Sequence, residues 1–386
     1  MQYRKFGRLP VQVSALGFGC MRLPIVGTDS TAIDEPEATR MLRHAIDQGV
    51  NYVDTAYNYH GGNSERFLSR ALQDGYRQKV YLADKMPVWL AKKAGDFDRL
   101  FDEQLERLQV EHIDFYLLHS LNHETWRKAH KLGVLKWGEG LIRQGKIGYL
   151  GFSFHDTYEV FQEIVDAYDG WHFCQIQYNY LDVDVQAGTK GLRYAADRGL
   201  GVVVMEPLRG GRLAAPPPAM REVLDSAPTK RTPADWGLQW VWNQPEVSVV
   251  LSGMATMQHV VENLASAERS GPGVLSPDDL ALLDRAREAL QGLCPIPCTE
   301  CRYCMPCPNG VLIPIMLGLY NLAIGQDELE MARDRYRRFG EAARASACIE
   351  CGECEELCPQ GIPISEWMPK IDAVLGQGKD PDEVSD

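Results

Sequence analysis

Two cysteine runs near the end of the chain have residue types and spacing that suit iron–sulfur chemistry. In C-x2-C-x2-C-x3-C-P runs, three thiolates hold one [4Fe-4S] cluster and the cysteine before the proline reaches a second cluster. The later run fits this spacing, and the earlier run is one residue shorter before its last cysteine. We therefore predict two [4Fe-4S] clusters. Their predicted ligands are Cys298, Cys301, Cys304 and Cys307 in the first run and Cys348, Cys351, Cys354 and Cys358 in the second.

Crosswise ligation would combine the two runs at each cluster. One cluster would take the first three cysteines of the first run with Cys358, and the other would take the first three of the second run with Cys307. Zinc is an alternative, but four ligands fill a tetrahedral zinc site, so evenly spaced runs ending in Cys-Pro fit it poorly. Disulfides suit short secreted scaffolds rather than a 386-residue chain. Cys294, four residues before Cys298, is a spare or a substitute ligand.

Size and composition limit the classes of protein to consider. With 386 residues, 45% of them hydrophobic, the chain has room for one large domain and one small one. No window approaches the roughly 20 apolar residues of a membrane span, and the start, MQYRKFGRLP, lacks the apolar core of a signal peptide. We expect a cytoplasmic protein without a membrane segment.

The net charge of −13 is concentrated at the C-terminal end of the chain, where residues from Cys294 onward include 8 Lys and Arg against 16 Asp and Glu. This balance argues against nucleic-acid binding, which favours a basic protein face. An acidic redox module would suit a redox protein partner with a basic surface. The other interpretation is a solvated acidic tail.

Eight short apolar segments alternate with longer amphipathic stretches between about residue 15 and residue 251. Several are continuously apolar, as parallel strands buried on both faces should be. Eight repeats of strand and helix predict an α/β fold, a (β/α)8 TIM barrel. An open doubly wound sheet would want a G-x-G-x-x-G turn after its first strand, which LGFGCMRLP lacks. The segments are ALGFGC, NYVDT, VYLADK, IDFYLLH, GYLGFS, FCQIQ, GVVVME and SVVLSG.

We predict a barrel domain over residues 1–291 and a small α-helical, ferredoxin-like two-cluster domain over residues 292–386. The last barrel helix, SPDDLALLDRAREAL, begins with Ser276 as a cap and Pro277 in its first turn. Residues 311–347 form an insert between the two cysteine runs, and it includes the helical segment DELEMARDRYRRFGEAARA. The insert has no assigned role.

Polar residues stand at the C-terminal ends of the predicted strands, where the catalytic residues of such barrels collect. A tyrosine, with an ordinary pKa near 10, donates a proton poorly unless a cation lowers its pKa. Lys85 could supply that charge to Tyr59, with Asp54 pairing with Lys85, while His119 could orient a substrate carbonyl. The strand-end residues are Asp54, Lys85, His119, Ser153, Gln175 and Glu206.

These residues and their surroundings resemble the aldo/keto reductase family, in particular the branch with a C-terminal ferredoxin-like domain carrying two [4Fe-4S] clusters. The resemblance covers nearly the whole chain. It implies NAD(P)H-dependent interconversion of a carbonyl compound and an alcohol, with Tyr59 as proton donor in a tetrad with Asp54, Lys85 and His119. Tyr59 is preferred to Tyr57 because its distance from Asp54 matches the family. The matching motifs are VDTAYNYHGGNSE, LADK, YLLH, GKIGYLGFSFHD, QIQYNYLD, MEPLRGG and SGMATMQHVVEN.

The resemblance also implies which residues bind the cofactor, NADPH or NADH. Ser153 and Gln175 would hold the nicotinamide carboxamide, and Glu262 and Asn263 match the pair that contacts adenine. The other predicted cofactor-site residues are Met205, Pro207, Leu208 and Gly253.

Three departures from the family pattern concern the cofactor. Phe154 stands where many members have an asparagine beside the serine, and His155 could compensate. Met205 stands where many members stack a tyrosine on the nicotinamide ring, a face that a thioether can also cover. Residues 244–264 contain no Lys or Arg, although NADP-preferring members grip the 2′-phosphate there. The sequence thus leaves NADPH and NADH as alternatives.

The predicted function is that of an oxidoreductase whose clusters either relay electrons or order the C-terminal domain. Hydride transfer moves two electrons together and a cluster moves one, so direct coupling would call for a flavin or a radical-tolerant substrate. No flavin motif is present, although a barrel mouth could hold a flavin. One alternative is a non-enzymatic redox-sensing or accessory subunit that binds nicotinamide. Another is a lyase using the same tyrosine.

Overall fold

A closed barrel of eight parallel strands dominates the fold in the computed structural model, which describes residues 1–291, 295–298, 302–325 and 328–384. Each strand pairs with the next, and the last pairs with the first to close the ring. A short antiparallel hairpin, β1 (Tyr3–Lys5) and β2 (Gln12–Ser14), precedes the barrel. The barrel strands are β3 (Leu16–Gly19), β4 (Tyr52–Asp54), β5 (Tyr81–Met86), β6 (Ile113–Leu121), β7 (Ile147–Phe154), β8 (Phe173–Gln177), β9 (Gly201–Met205) and β10 (Val247–Ser252).

All eight predicted segments are strands of this barrel, and the (β/α)8 prediction is confirmed. The reason lies in burial, because strands β3, β4, β8 and β10 have no exposed residue on either face. A strand covered by helices on one side and by the barrel interior on the other needs apolar residues at consecutive positions. The doubly wound alternative is therefore wrong.

The N-terminal hairpin was not predicted, and its connecting turn closes one end of the barrel. Phe6 is fully buried among Phe115 and Phe173, with ring centroids 4.6 and 5.5 Å away. Gly201, at the start of β9, lies so close that a Cβ atom there would come within 2.4 Å of the Phe6 ring. Aromatic packing thus fills the N-terminal ends of the strands, and the C-terminal ends remain for chemistry.

Helices connect the strands and bury one apolar stripe each. In α3, Phe97, Leu100, Phe101 and Leu108 are buried as the stripe predicts, whereas Leu105 is only half-buried. The α-helices from the start of the chain to the one that follows β10 are α1 (Glu35–Asp47), α2 (Asn63–Ala71), α3 (Gly95–Leu108), α4 (His123–Lys131), α5 (Val134–Arg143), α6 (Tyr158–Asp166), α7 (Gly188–Asp197), α8 (Pro218–Asp225), α9 (Pro233–Trp242) and α10 (Met257–Glu268).

The C-terminal part is helical and has its own apolar core. In the described part of the insert, the α-helix α12 precedes the predicted helical segment, and α13 covers only the first half of that segment. Met316, Leu317 and Tyr320 of α12 are buried together with Met368 and Ile371 of α15. The insert therefore supplies much of this core. The helices are α11 (Pro277–Gln291), α12 (Ile313–Gly325), α13 (Leu329–Arg337), α14 (Glu353–Glu356) and α15 (Ile364–Ile371).

Packing divides the chain into two compact units. The first comprises residues 1–207 and 237–276 and contains all ten strands named above, and the second comprises residues 208–236 and 277–386. The boundary between residues 291 and 292 stays a prediction from the sequence. Within the described ranges, no helix is both long and apolar enough to cross a lipid bilayer.

Candidate active site and cysteine-lined cavities

The C-terminal ends of the barrel strands carry the predicted catalytic side chains. Asp54 is the last residue of β4, and Lys85 is the last but one of β5. His119 lies two residues before the end of β6, and Tyr59 begins the short turn after β4. Consecutive parallel strands bring these residues to one rim of the barrel, as the fold class predicts.

Lys85 connects the members of this group. Its Nζ donates to Asp54 Oδ1 at 2.7 Å and to the Thr55 carbonyl oxygen at 2.7 Å, and it lies 3.3 Å from Tyr59 Oη. These contacts match the three N–H donors of an ammonium group. The side chains of Lys85 and Asp54 are 0% and 3% exposed. Lys85 is thus a buried cation whose charge is balanced by Asp54 and directed at the Tyr59 phenol.

The pKa of Tyr59 moves opposite to the direction expected from the sequence. Desolvation raises it well above its ordinary value, and the charge of Asp54 adds to the increase. We expected Lys85 to lower this pKa, but burial and the paired carboxylate outweigh the cation. Tyr59 therefore keeps its proton at neutral pH, and the Lys85 contact stabilises the phenolate left after proton donation.

His119 faces Tyr59 as a neutral imidazole. The two rings meet edge to face with centroids 6.2 Å apart, and the Trp89 ring lies 5.0 Å from His119 on another side. Burial lowers the pKa of His119 well below its ordinary value, and the nearby Lys85 charge lowers it further. A neutral ring beside a protonated tyrosine can hydrogen-bond an oxygen without competing as an acid.

The residues predicted to hold the nicotinamide lie on the next strands of the same rim. Ser153 on β7 accepts a hydrogen bond from the Ser120 backbone at 2.7 Å. Gln175 Nε2 on β8 contacts Met205 Sδ on β9 at 3.4 Å. Gln175 Oε1 is buried and has no hydrogen-bond partner among the described residues. A buried acceptor without a partner is costly, so Gln175 fits a ligand that brings an amide N–H donor.

The residues predicted to contact the rest of the cofactor have mixed environments. Gly253 follows β10 and is exposed, and Glu262 is exposed on α10, where it accepts a hydrogen bond from Gln258 at 2.7 Å. Asn263 is buried, and its amide donates to Ser252 Oγ at 2.9 Å. Pro207 is buried and Leu208 is half-buried after β9. Asn263 therefore has an internal hydrogen bond that also fastens α10 to β10.

Phe154, which departs from the family pattern, and its neighbour His155 are both at least partly buried. Phe154 is buried and packs on Phe161, with ring centroids 5.1 Å apart. Desolvation lowers the pKa of His155 to about 4, so its ring is neutral at pH 7. Phe154 thus contributes apolar packing at this position.

The sequence analysis did not identify a buried polar network behind Lys85. Asp84 precedes Lys85 on β5, and Gln104 on α3 donates to Asp84 Oδ2 at 2.7 Å. Glu65 on α2 joins the same group through Gln104. The signal was visible in VYLADK, where a carboxyl stands directly before the lysine in an otherwise apolar strand.

The cysteine runs line two cavities in the second unit, and each cavity draws on both runs. One, the Cys351 cavity, is lined by Cys307 of the first run and by Cys348, Cys351 and Cys354 of the second. The other, the Cys298 cavity, is lined by Cys298, Cys304 and Cys358. Cys301 and Cys294 lie outside the described residues. Crosswise ligation, which would combine the two runs at each cluster, stays a prediction.

The spacing of these thiols bears on the zinc alternative. Among the residues that the structure describes, no three His, Cys, Asp or Glu side chains converge closely enough to hold a single metal ion. All four cysteines of the Cys351 cavity are described, so this finding applies fully to them. A tetrahedral zinc site would need four ligands around one ion, whereas two [4Fe-4S] clusters stay the prediction from the spacing of the two runs.

The insert walls both cavities with apolar side chains. Val311 and Ile313 line the Cys351 cavity, and Pro314 and Leu317 line the Cys298 cavity. Ile364, at the start of α15, lines both. The insert therefore supplies part of the apolar lining of both cavities.

Comparisons with known proteins agree with both halves of this description. The aldo/keto reductase family matches residues 15–288, and a 4Fe-4S dicluster domain matches residues 297–362. The uncharacterized oxidoreductase YrpG of Bacillus subtilis is 28% identical over 55% of this chain and 68% of its own length. The aldo-keto reductase NECHADRAFT_45914 of Fusarium vanettenii is 25% identical over 76% of this chain and 93% of its own length.

A solved structure shows the same likeness. The aldo-keto reductase AKR11C1 from Bacillus halodurans, in its holo form, superposes with a TM-score of 0.62 at 26% identity, covering 74% of this chain and 96% of that chain. The chain therefore belongs to the aldo/keto reductase family of oxidoreductase enzymes and carries a C-terminal 4Fe-4S dicluster domain.

Proposed function

We propose that the chain is an NAD(P)H-dependent enzyme that interconverts an aldehyde or ketone and an alcohol at the rim around Lys85. The observation that carries the proposal is the contact of one buried ammonium with both Asp54, at 2.7 Å, and the Tyr59 hydroxyl, at 3.3 Å. This arrangement joins a protonated phenol to a charge that stabilises its conjugate base. A small carbonyl compound is the substrate class that requires it.

The proposed roles follow from the protonation states. When bound beside Gln175 and Ser153, a reduced nicotinamide would supply a hydride. Tyr59 gives its hydroxyl proton to the carbonyl oxygen, and the resulting phenolate is stabilised by Lys85. Neutral His119 hydrogen-bonds the same oxygen and orients it, while Asp54 keeps Lys85 charged and in place. In the reverse direction the phenolate accepts the alcohol proton.

We assign cofactor binding to the strands beyond the tetrad. Gln175 Oε1, which has no partner among the described residues, would accept from the nicotinamide carboxamide, and Ser153 would hold its other side. Met205 would lie against the ring. Gly253, Glu262 and Asn263 would bind the adenosine half, and Pro207 and Leu208 would form the wall after β9.

We also propose that the C-terminal unit binds two [4Fe-4S] clusters crosswise. Cys307 would join Cys348, Cys351 and Cys354 at one cluster, and Cys358 would join the first run at the other. When bound, such clusters supply one-electron transfer, whereas the tetrad supports two-electron hydride transfer. The clusters therefore either relay electrons to another protein or order the C-terminal domain.

Substitution of Tyr59 by phenylalanine tests the catalytic assignment. We expect Tyr59→Phe to lower kcat by about 100-fold or more, because general acid catalysis contributes about 10²–10⁴-fold, while nicotinamide binding persists. Tyr57→Phe is the matched control, since its hydroxyl contacts Glu103 instead of Lys85, and it should retain activity. Unchanged turnover in Tyr59→Phe would refute the assignment. Nucleotide binding without turnover in the unmodified protein would favour the sensing alternative.

A further inference from the structure

A pair of fully buried carboxyl groups lies directly behind Lys85, and the proposed reaction does not use it. Asp84 and Glu65 are both 0% exposed. Neighbouring residues of a strand point to opposite faces, so Lys85 points to the barrel rim while Asp84 points outward under α2 and α3. At such buried positions an ionised carboxylate destabilises the folded protein unless it is paired with a cation.

Gln104 connects this pair to the backbone of Lys85. Its Nε2 lies 2.7 Å from Asp84 Oδ2, 3.1 Å from Glu65 Oε1 and 3.0 Å from the Lys85 carbonyl oxygen. Asp84 Oδ1 accepts from the Lys85 backbone N–H at 2.8 Å. Asp84 and Gln104 therefore hold both backbone hydrogen-bonding groups of the lysine.

The charges in this region require one carboxyl to carry a proton. Lys85 pairs with Asp54, and Arg107 Nη1 pairs with Glu65 Oε2 at 2.9 Å. Arg107 also pairs with Glu103, so its single positive charge already faces two carboxylates. Asp84 is thus the carboxyl without a cation of its own. Burial raises the pKa of Asp84 well above its ordinary value, and the adjacent Glu65 charge raises it further.

We propose that Asp84 is a positioning residue that carries a proton in the working enzyme and, with Gln104, holds Lys85 so that Nζ stays between Asp54 and Tyr59. The expected effect on turnover rests on the proposed function. The protonation of Asp84 does not depend on that function. A protonated Asp84 donates to Glu65 and accepts from Lys85, so every polar atom of the pair is used.

The proposal implies a pH dependence whose sign follows from the charges around Asp84. Glu65 faces it from α2 and Tyr116 from β6, with Arg107 of α3 beyond Glu65, and the charge of Lys85 lies on the opposite face of β5. Ionised Asp84 opposes the Lys85 charge at Tyr59 and makes the phenolate less stable. Reduction of a carbonyl should therefore slow as the pH rises through the pKa of Asp84.

Infrared spectroscopy of the intact protein tests the buried proton without any assay of activity. Wild type at neutral pH should show the C=O band of a protonated carboxylic acid, and Asp84→Asn should lose it. Asp114→Asn, near the start of the neighbouring strand β6, is the matched control and should keep the band. If Asp84→Asn leaves the band unchanged, the proposal is overturned, whether or not the protein reduces carbonyls.

Kinetics test the positioning role. Asn is the isostere of a neutral Asp, so Asp84→Asn should keep kcat within about two-fold at neutral pH and lose the decline at higher pH. Asp84→Ala removes the acceptor for the Lys85 N–H and should lower kcat about ten-fold or more with KM for the nucleotide unchanged. An equal loss in both variants, or an unchanged pH profile in Asp84→Asn, would contradict the role. If Asp84→Asn loses the infrared band but the wild-type protein shows no turnover, the proposed function is refuted and the protonation of Asp84 is not.

Discussion

At the scale of single residues, the site depends on charges that are buried but paired. The Lys85–Asp54 pair is almost completely removed from solvent, so each partner is tolerated only because of the other. The sequence predicted this pair, Tyr59 and His119, because their motifs occur in a fixed order along the chain. It did not predict the Asp84–Gln104 contact, because two residues on different elements become neighbours only through the packing of α3 on β5.

The buried pair should matter far more to stability than an exposed one. Lys85→Met leaves Asp54 buried and unpaired, and we expect a loss of about 3–5 kcal/mol in the free energy of unfolding. Lys79→Met breaks the exposed pair with Asp47, at 3.0 Å, and should cost under about 1 kcal/mol. Urea unfolding followed by tryptophan fluorescence measures both, and similar losses in the two variants would contradict the account.

His119 should make stability depend on pH. Its pKa is lowered in the folded state, so between that value and the ordinary value of 6.5 the unfolded chain binds a proton that the folded chain does not. Stability contributed in this way is present above pH 6.5 and is lost as the pH falls below it. We expect His119→Asn to show a smaller drop in Tm between about pH 8 and pH 5 than wild type. The exposed His123 provides the control. A drop in the Tm of His119→Asn equal to that of wild type would show that His119 does not cause the pH dependence.

At the scale of elements, the regular part of the fold was predictable and the additions were not. Strands buried on both faces give continuous apolar segments that repeat eight times, which is a strong signal. The N-terminal hairpin is three residues per strand, and its importance comes from Phe6 packing across strands far apart in sequence. Helix α12 is almost uniformly apolar and therefore lacks the amphipathic pattern that identifies a helix.

The loop and helix after β10 should determine which nucleotide is preferred. Residues 244–264 contain no Lys or Arg, and Glu262 is exposed on α10. We expect Gln258→Arg, which places a guanidinium near the start of α10, to lower KM for NADPH about ten-fold relative to KM for NADH. A factor of about ten corresponds to the free energy of one charge-assisted hydrogen bond. Gln258→Met is the neutral control. Steady-state KM values for both nucleotides measure the effect, and parallel changes in the two would count against the assignment.

Helix α12 should support the cluster in the Cys298 cavity. Leu317 lines that cavity and is 1% exposed, whereas Ile315 on the same helix is 37% exposed. Leu317→Ala should cost about 2–5 kcal/mol and lower the iron content of anaerobically purified protein. Ile315→Ala should retain full iron, and equal iron content in the two variants would show that the helix does not hold the cavity in shape.

At the scale of the whole molecule, the two cysteine cavities differ in access to solvent. Cys351 is exposed, and Cys298 is buried. Next to Cys351 the chain exposes Ile349, at 65%, and Leu357, at 58%, among Glu350, Glu353 and Glu356. Exposed apolar side chains surrounded by one sign of charge are typical of a surface that meets a transient partner. The charge count, read from the sequence, assigned the acidic excess to residues from Cys294 onward but did not identify this surface.

If the clusters relay electrons, a basic acceptor should receive them at this face. Protein reduced with dithionite should pass one electron from a reduced cluster to the ferric haem of cytochrome c, a basic protein, at a rate that falls steeply with ionic strength. The triple variant Glu350→Gln, Glu353→Gln and Glu356→Gln should be slower at low salt and equal to wild type at high salt. A rate independent of salt and of these glutamates would show that the acceptor does not dock at this face, and no electron transfer at all would favour structural clusters.

Transfer of deuterium tests the central claim, hydride transfer assisted by Tyr59, most directly. Protein is mixed anaerobically with an aromatic aldehyde and with NADH or NADPH dideuterated at C4 of the nicotinamide, and the alcohol is examined by mass spectrometry. We predict deuterium on the carbinol carbon with wild type and with Tyr57→Phe, and almost none with Tyr59→Phe. Alcohol without deuterium, or equal transfer by Tyr59→Phe, would contradict the account.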